Sequence, residues 1–132
     1  MNRMAKCCCE KVGIEVKGLP VKHFVCHCDN CKRRSGSAFG ISTYFENSQI
    51  VRCIGETKVY EKKNQLGFQK RHFCGICGTT LYATLSRVPE LTFVAGGCFT
   101  ENPLPDPDRA ISQGDCVYKW VTLPNHWNLE YD

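Results

Sequence analysis

The stretch FCGICGTTLY, residues 73–82, places Cys74 and Cys77 three positions apart in a turn that is rich in glycine. Gly75 and Gly78 suit the positive φ angles of a tight knuckle, in which backbone N–H groups point at the two sulfurs. This spacing predicts two ligands of a metal ion, and a redox pair of cysteines is the alternative interpretation. Because a structural zinc ion takes four ligands, a second pair must come from elsewhere in the chain.

Two other groups of cysteines have the spacing of metal ligands: Cys7 with Cys9, and Cys26 with Cys28 and Cys31. Spacing alone allows either group to complete the first site. Counting favours Cys7 and Cys9, because the three remaining cysteines then form a second site whose fourth position is open. An open position is typical of a catalytic or ligand-exchanging zinc ion. Thiolate ligands favour zinc, with iron as the alternative metal.

The cysteine count of eleven also bears on the compartment. No apolar run has the form of a secretory signal or reaches the roughly 18 residues of a membrane span. We therefore expect a cytosolic protein, or a nuclear one in a eukaryote, with no membrane association. Thiols stay reduced in these compartments, so the cysteines indicate metal ligation or catalysis more than disulfides.

The net charge does not favour a nucleic-acid partner. The formal value is +4 with neutral thiols. Seven thiolates would remove seven charges and two Zn²⁺ would return four, which leaves +1. The basic residues are also spread along the chain, except for Lys32, Arg33 and Arg34 and a looser group at Lys70, Arg71 and His72. Nothing in the sequence indicates an oligomeric state.

Short alternating segments, rich in β-branched and aromatic residues, recur between Gly, Pro, Asn and Asp residues and predict an all-β fold of mostly antiparallel strands. No window of normal helix length keeps a 3.6-residue period, so at most one short helical turn is expected after Cys31. The 132 residues predict a single domain spanning residues 1–132. The predicted strands are VGIEVK (12–17), VKHFVC (21–26), FGISTYF (39–45), TKVYEK (57–62), GFQKRHF (67–73), TLYATL (80–85), LTFVAGGCF (91–99) and VYKWVTL (117–123).

Residues 100–115 contain three prolines and cannot form a central strand, so we predict an ordered surface strap there, with a plain loop as the alternative. In the last predicted strand, Tyr118 and Trp120 alternate on one face and are expected in the core.

His27 lies between two ligand positions and is expected to point away from them, beside the site or at the surface. The remaining cysteines are predicted to be small buried residues: Cys8, Cys53, Cys98 and Cys116.

Four motifs together resemble the glutathione-dependent formaldehyde-activating family, which includes S-hydroxymethylglutathione synthase and centromere protein V. This chain departs from the family pattern at Glu10, where glycine is usual, at Ile14, where an aromatic residue is common, and at Lys32, where arginine is frequent. The motifs are CCCEKVGIEV (7–16), CHCDNCKRRSGSAF (26–39), FCGICGTTLY (73–82) and FVAGGCFT (93–100).

The resemblance implies a zinc-dependent all-β fold of the β-tent type with two zinc ions, one structural and one catalytic. It also implies a carbon–sulfur lyase that joins glutathione, as co-substrate, to formaldehyde or another small aldehyde. Carried over by position, the structural ligands would be Cys7, Cys9, Cys74 and Cys77, and the catalytic ligands Cys26, Cys28 and Cys31.

A zinc ion held by three thiolates suits the binding of a fourth thiolate, which glutathione can supply. The basic turn of Lys32, Arg33 and Arg34 would then pair with the two carboxylates of glutathione, or would only balance thiolate charge. Two alternatives remain for the whole protein. One is a non-catalytic binding module with two structural zinc ions, resembling centromere protein V, and the other is a methionine sulfoxide reductase that uses Cys98 or Cys116.

Overall fold

The computed structural model describes residues 1–64, 67–112 and 114–131, and confirms the all-β expectation. Within these ranges no helix is long and apolar enough to cross a bilayer. The strands are β1 (Asn2–Lys6), β2 (Gly13–Lys17), β3 (Lys22–Cys26), β4 (Gly40–Glu46), β5 (Ile50–Ile54), β6 (Thr57–Asn64), β7 (Gly67–Cys74), β8 (Thr80–Leu85), β9 (Leu91–Ala95), β10 (Arg109–Ser112) and β11 (Asn128–Tyr131), and the one α-helix among the described residues is α1 (Asp29–Ser35).

The strands form two sheets. The smaller sheet has the order β1-β2-β5, and the larger has the order β11-β10-β3-β4-β9-β8-β7-β6. The pairs from β3 to β6 across the larger sheet are antiparallel, as predicted. The β10 strand instead runs parallel to both β3 and β11, so the larger sheet is mixed.

One core cluster joins the two sheets. Ile14 from β2 packs with Phe45 from β4 and Val94 from β9, and all three side chains are fully buried. Cys7 and Cys74 belong to the same cluster. The chain segments that carry these two cysteines therefore meet where the small sheet packs on the large one, which is where a shared metal ion would bind them together.

Three expectations about the last third of the chain are wrong. Residues 109–112 are not part of a strap, because the prolines end at Pro107 and the chain then forms β10 between two partners. Residues 117–123 do not form a strand, and a turn closes there with a hydrogen bond from the Val121 N–H to the Tyr118 carbonyl. Tyr118 and Trp120 are 46% and 76% exposed, since no second layer covers this turn.

Helix α1 is longer and begins earlier than the single turn predicted after Cys31. The Cys28 sulfur caps its N-terminus by accepting a hydrogen bond from the Cys31 N–H at 3.4 Å. Gly36 ends it in the left-handed conformation, with its N–H donating to the Lys32 carbonyl. Cysteine is not one of the residues that usually cap a helix, so the sequence did not predict that the helix begins directly after Cys28.

Candidate metal centres and the cavity between them

The first sulfur cluster brings together Cys7, Cys9, Cys74 and Cys77, whose sulfurs all lie within 4.8 Å of one another. The Cys7 and Cys9 sulfurs are 3.7 Å apart, and those of Cys9 and Cys74 are 3.6 Å apart. A tetrahedron with zinc–sulfur bonds of about 2.3 Å has sulfur–sulfur edges of about 3.8 Å. The spacing of this four-sulfur cluster therefore fits a tetrahedral metal ion.

Backbone and hydroxyl groups supply hydrogen bonds to the four-sulfur cluster. The Val12 N–H donates to the Cys7 sulfur at 3.3 Å, and the Ile76 N–H donates to the Cys74 sulfur at 3.4 Å. A hydrogen bond with the Thr79 hydroxyl, 3.3 Å away, helps to lower the pKa of Cys77 to about 5. These contacts favour thiolates, which are the form that binds metal.

The two glycines of the knuckle have different roles. Gly78 has a φ of +81°, as the sequence predicts, and donates its N–H to the Cys74 carbonyl. Gly75 does not have a positive φ, so this part of the prediction is wrong. A Cβ at Gly75 would instead crowd the Lys58 side chain at 3.1 Å.

The turn after Cys9 contains a strained residue, Glu10, whose backbone φ is +64°. We expect Glu10→Gly to raise the free energy of unfolding by about 0.5–1 kcal/mol, because glycine adopts this conformation without a steric cost. Among the described residues, the one ion pair that this substitution removes is the exposed contact with Lys6, which contributes little. Urea unfolding of the zinc-loaded protein measures the change. Glu10→Ala is the control, and an equal gain for alanine would show that backbone strain is not the cause.

The second cluster consists of Cys26, Cys28 and Cys31, whose sulfurs also lie within 4.8 Å of one another. Cys26 ends β3, Cys28 caps α1 and Cys31 lies in its first turn, so one chain reversal brings them together. Hydrogen bonds from the Cys26 and Cys31 thiols hold the pKa of Cys28 well below its usual range. The pKa of Cys26 is raised because its thiol donates to Cys28. Three sulfur atoms that are hydrogen-bonded to one another in this way form a group that could bind a metal cation.

All three sulfur-bearing residues of this cluster line a cavity of about 240 Å³. Its apolar walls include Phe24 from β3 and Phe93 from β9. The three-sulfur cluster therefore has one side that faces a space large enough for a small ligand, whereas the four-sulfur cluster could supply all four ligands of a tetrahedral ion by itself.

Comparison with known proteins agrees with this geometry. The family model described as glutathione-dependent formaldehyde-activating enzyme matches residues 2–114. The chain belongs to this family. The resemblance inferred from the motifs is thus confirmed, and membership supports chemistry on glutathione and formaldehyde in general.

A solved structure shares the fold. It is a crystal structure of a Rhodobacter sphaeroides protein from a structural genomics programme, with 24% identity and a TM-score of 0.59. The match covers 80% of this chain and 92% of the other. Among curated proteins, none matches this sequence.

The three basic residues of the motif, Lys32, Arg33 and Arg34, have different surroundings in the structure. Lys32 donates to the Cys116 carbonyl and lies 3.8 Å from the centre of the Tyr118 ring, and Arg33 is exposed. Arg34 alone of the three lines the cavity, where its Cζ lies 4.9 Å from the centre of the Phe93 ring.

Three other cations reach the cavity, and none of them was predicted as a site residue, although Arg71 belongs to the looser basic group at residues 70–72. Lys62 lies on β6, Arg71 on β7 and Arg87 in the turn after β8. They are distant in sequence from the cysteines, so only sheet pairing places them here. The sequence carried only a weak signal for these cations, from the alternation of side chains along the strands. Lys62 and Gln69 are cross-strand partners, and both line the cavity.

The remaining candidates are placed as follows. His27 is fully buried against Phe39 and not at the surface, and burial lowers its pKa. Cys8 and Cys53 are exposed, contrary to the expectation of burial, because Cys8 lies in a turn and Cys53 lies on the edge strand β5. Cys98 and Cys116 are half-buried.

Proposed function

We propose that the protein is a zinc-dependent carbon–sulfur lyase that forms or cleaves S-hydroxymethylglutathione from glutathione and formaldehyde, or acts on a related thiol and aldehyde. The observation that carries this proposal is the cavity onto which Cys26, Cys28 and Cys31 all open. Cys7, Cys9, Cys74 and Cys77 would hold the structural zinc ion, and Cys26, Cys28 and Cys31 would hold the second. A zinc ion bound there supplies a positive charge that keeps an incoming thiol deprotonated at neutral pH.

In the reaction, the glutathione sulfur bonds to the formaldehyde carbon, and the carbonyl oxygen becomes a hydroxyl by taking up the proton that the thiol released. The chain contributes position and electrostatics. Cys31 and Arg34 lie on the same helix, and the Arg34 guanidinium offsets part of the thiolate charge. Phe24 and Phe93 exclude water from the space where the aldehyde meets the sulfur.

The test is two-dimensional exchange NMR on ¹³C-labelled formaldehyde and glutathione at equilibrium. The wild-type protein is expected to accelerate exchange into the S-hydroxymethyl adduct, and Cys28→Ser is expected to return the rate to that of the buffer. Cys53→Ser is the matched control, because Cys53 is exposed and outside both clusters. Its rate is expected to equal that of wild type.

Thiols add to formaldehyde without a catalyst, so the comparison must be made at several protein concentrations. An exchange rate that does not rise with wild-type concentration would refute the lyase and favour a non-catalytic binding module. A rise that Cys28→Ser retains in full would remove the three-sulfur cluster from the reaction.

A further inference from the structure

We propose that the cavity binds both carboxylates of its thiol ligand through two separate cationic ends: Lys62 with Arg71 at one end, and Arg87 beside Tyr44 at the other. This inference rests on the proposed function for the identity of the ligand as a glutathione-like dicarboxylate. It assigns the carboxylates to residues far from the cysteines in sequence, and not to the basic turn at residues 32–34.

The first end is preorganised by Asn30. Its Oδ1 accepts hydrogen bonds from Lys62 Nζ and from Arg71 Nη2, each at 2.9 Å. Gln69 Oε1 accepts from Arg71 Nε at 3.3 Å and from Nη2 at 3.2 Å. Both partners are neutral amides, so they orient the two cations without neutralising them. Asn30 is the neighbour of Cys31, which ties this end directly to the three-sulfur cluster.

The second end combines Tyr44 of β4 with Arg87 of the turn after β8, and both residues line the cavity. The Tyr44 hydroxyl can donate a hydrogen bond to a carboxylate that Arg87 attracts.

The spacing of the two ends suits a tripeptide. Tyr44, Phe93, Ala83 and Arg71 are successive register partners across β4, β9, β8 and β7. Three strand spacings separate Tyr44 from Arg71, which is roughly 14 Å between backbones, and the side chains shorten the gap. In glutathione the first residue is linked through its side chain, so ten bonds separate the two carboxylate carbons, a span of roughly 12 Å with the thiol of the middle residue between them. Ala83 lies between Phe93 and Arg71 in the wall of the cavity, and its small side chain leaves room there for a ligand.

The charges of the cavity also favour an anionic ligand. Arg34, Lys62, Arg71 and Arg87 line it, and none of its lining residues is acidic. In the described part of the chain no ion pair reaches any of the four, and Arg34 Nη2 is buried without a hydrogen-bond partner. Three thiolates, one divalent ion and a ligand thiolate sum to −2, so two of the four positive charges remain. The two carboxylates and the single ammonium group of a glutathione-like ligand add −1 and offset one of these two charges.

Calorimetric titration of the zinc-loaded protein with S-methylglutathione tests the proposal. This probe keeps both carboxylates, but its sulfur is a thioether that cannot become a thiolate. Arg71→Gln and Arg87→Gln are each expected to weaken binding at least tenfold. The control is Arg52→Gln, which removes an exposed arginine of β5 and is expected to stay within twofold of wild type. Zinc content and an amide NMR spectrum establish that each variant is folded.

A second comparison uses wild-type protein alone, so it holds even where a variant does not fold. The dimethyl ester of S-methylglutathione is expected to bind at least tenfold more weakly than the diacid. Equal binding of ester and diacid, or no detectable binding of the diacid, would overturn the proposal. So would unchanged affinity in both folded arginine variants, or a loss that follows Lys32→Gln and Arg33→Gln instead.

The two proposals fail in different ways. If the arginine variants lose the diacid but wild type does not accelerate formaldehyde exchange, the carboxylate assignment stands and the lyase assignment fails. If exchange is accelerated but the diacid binds equally to all variants, the lyase stands and the carboxylate assignment fails.

Discussion

Cys74→Ser is expected to abolish cooperative folding. Cys74 is 1% exposed and lies in the core cluster that joins the two sheets, so the substitution removes a metal ligand and buries a hydroxyl. Structural zinc contributes about 10–16 kcal/mol in small zinc-binding peptides, which is as large as the entire stability of a typical domain, about 5–15 kcal/mol. We expect the loss of both the sigmoidal thermal transition and the dispersion of amide NMR signals.

The control for this experiment is Cys53→Ser, which changes the same atoms at an exposed position. Its midpoint temperature is expected to lie within about 2 °C of wild type, since exposed substitutions rarely exceed about 0.5 kcal/mol. If Cys74→Ser melts cooperatively near the wild-type temperature, the four-sulfur cluster does not hold the sheets together through a metal ion.

Zinc is expected to leave the two clusters at very different rates. The three-sulfur cluster offers three protein ligands and faces a cavity, whereas the other cluster offers four. A chromophoric chelator in excess should remove one equivalent of zinc at least a hundredfold faster than the second. The absorbance of the chelator complex measures both phases. The protein with one zinc ion should keep its thermal transition and lose formaldehyde exchange.

Cys28→Ser identifies which cluster gives the fast phase. This variant is expected to bind one zinc ion and to show only the slow phase, with its fold intact, because Cys28 lies outside the core cluster. Release of both equivalents at one rate in wild type would contradict the assignment. Slow release of both would indicate that a fourth protein ligand closes the three-sulfur cluster, as a binding module requires.

Several features could be predicted because they depend on neighbours in sequence. Seven of the eight predicted strands form, since alternation of apolar and polar residues, with many β-branched side chains, is a property of the local sequence. The segment at residues 117–123 has the same alternation and forms no strand, because nothing pairs with it. The β10 strand was missed for the opposite reason. Its four residues carry no periodic signal of their own, and they become a strand through pairing with β3 and β11.

The sequence by itself determined the all-β class, the three groups of cysteines with ligand spacing and the family, because each depends on patterns within short segments. The pairing of Cys7 and Cys9 with Cys74 and Cys77 was implied by the family resemblance and not by spacing. Only the tertiary structure decided which cations face the three-sulfur cluster. Lys62, Arg71 and Arg87 reach the cavity from separate strands and a turn, while Lys32 turns away to contact Cys116 and Tyr118. The physical reason is that the register of pairing, and the face to which a side chain points, depend on strands that are distant in the chain.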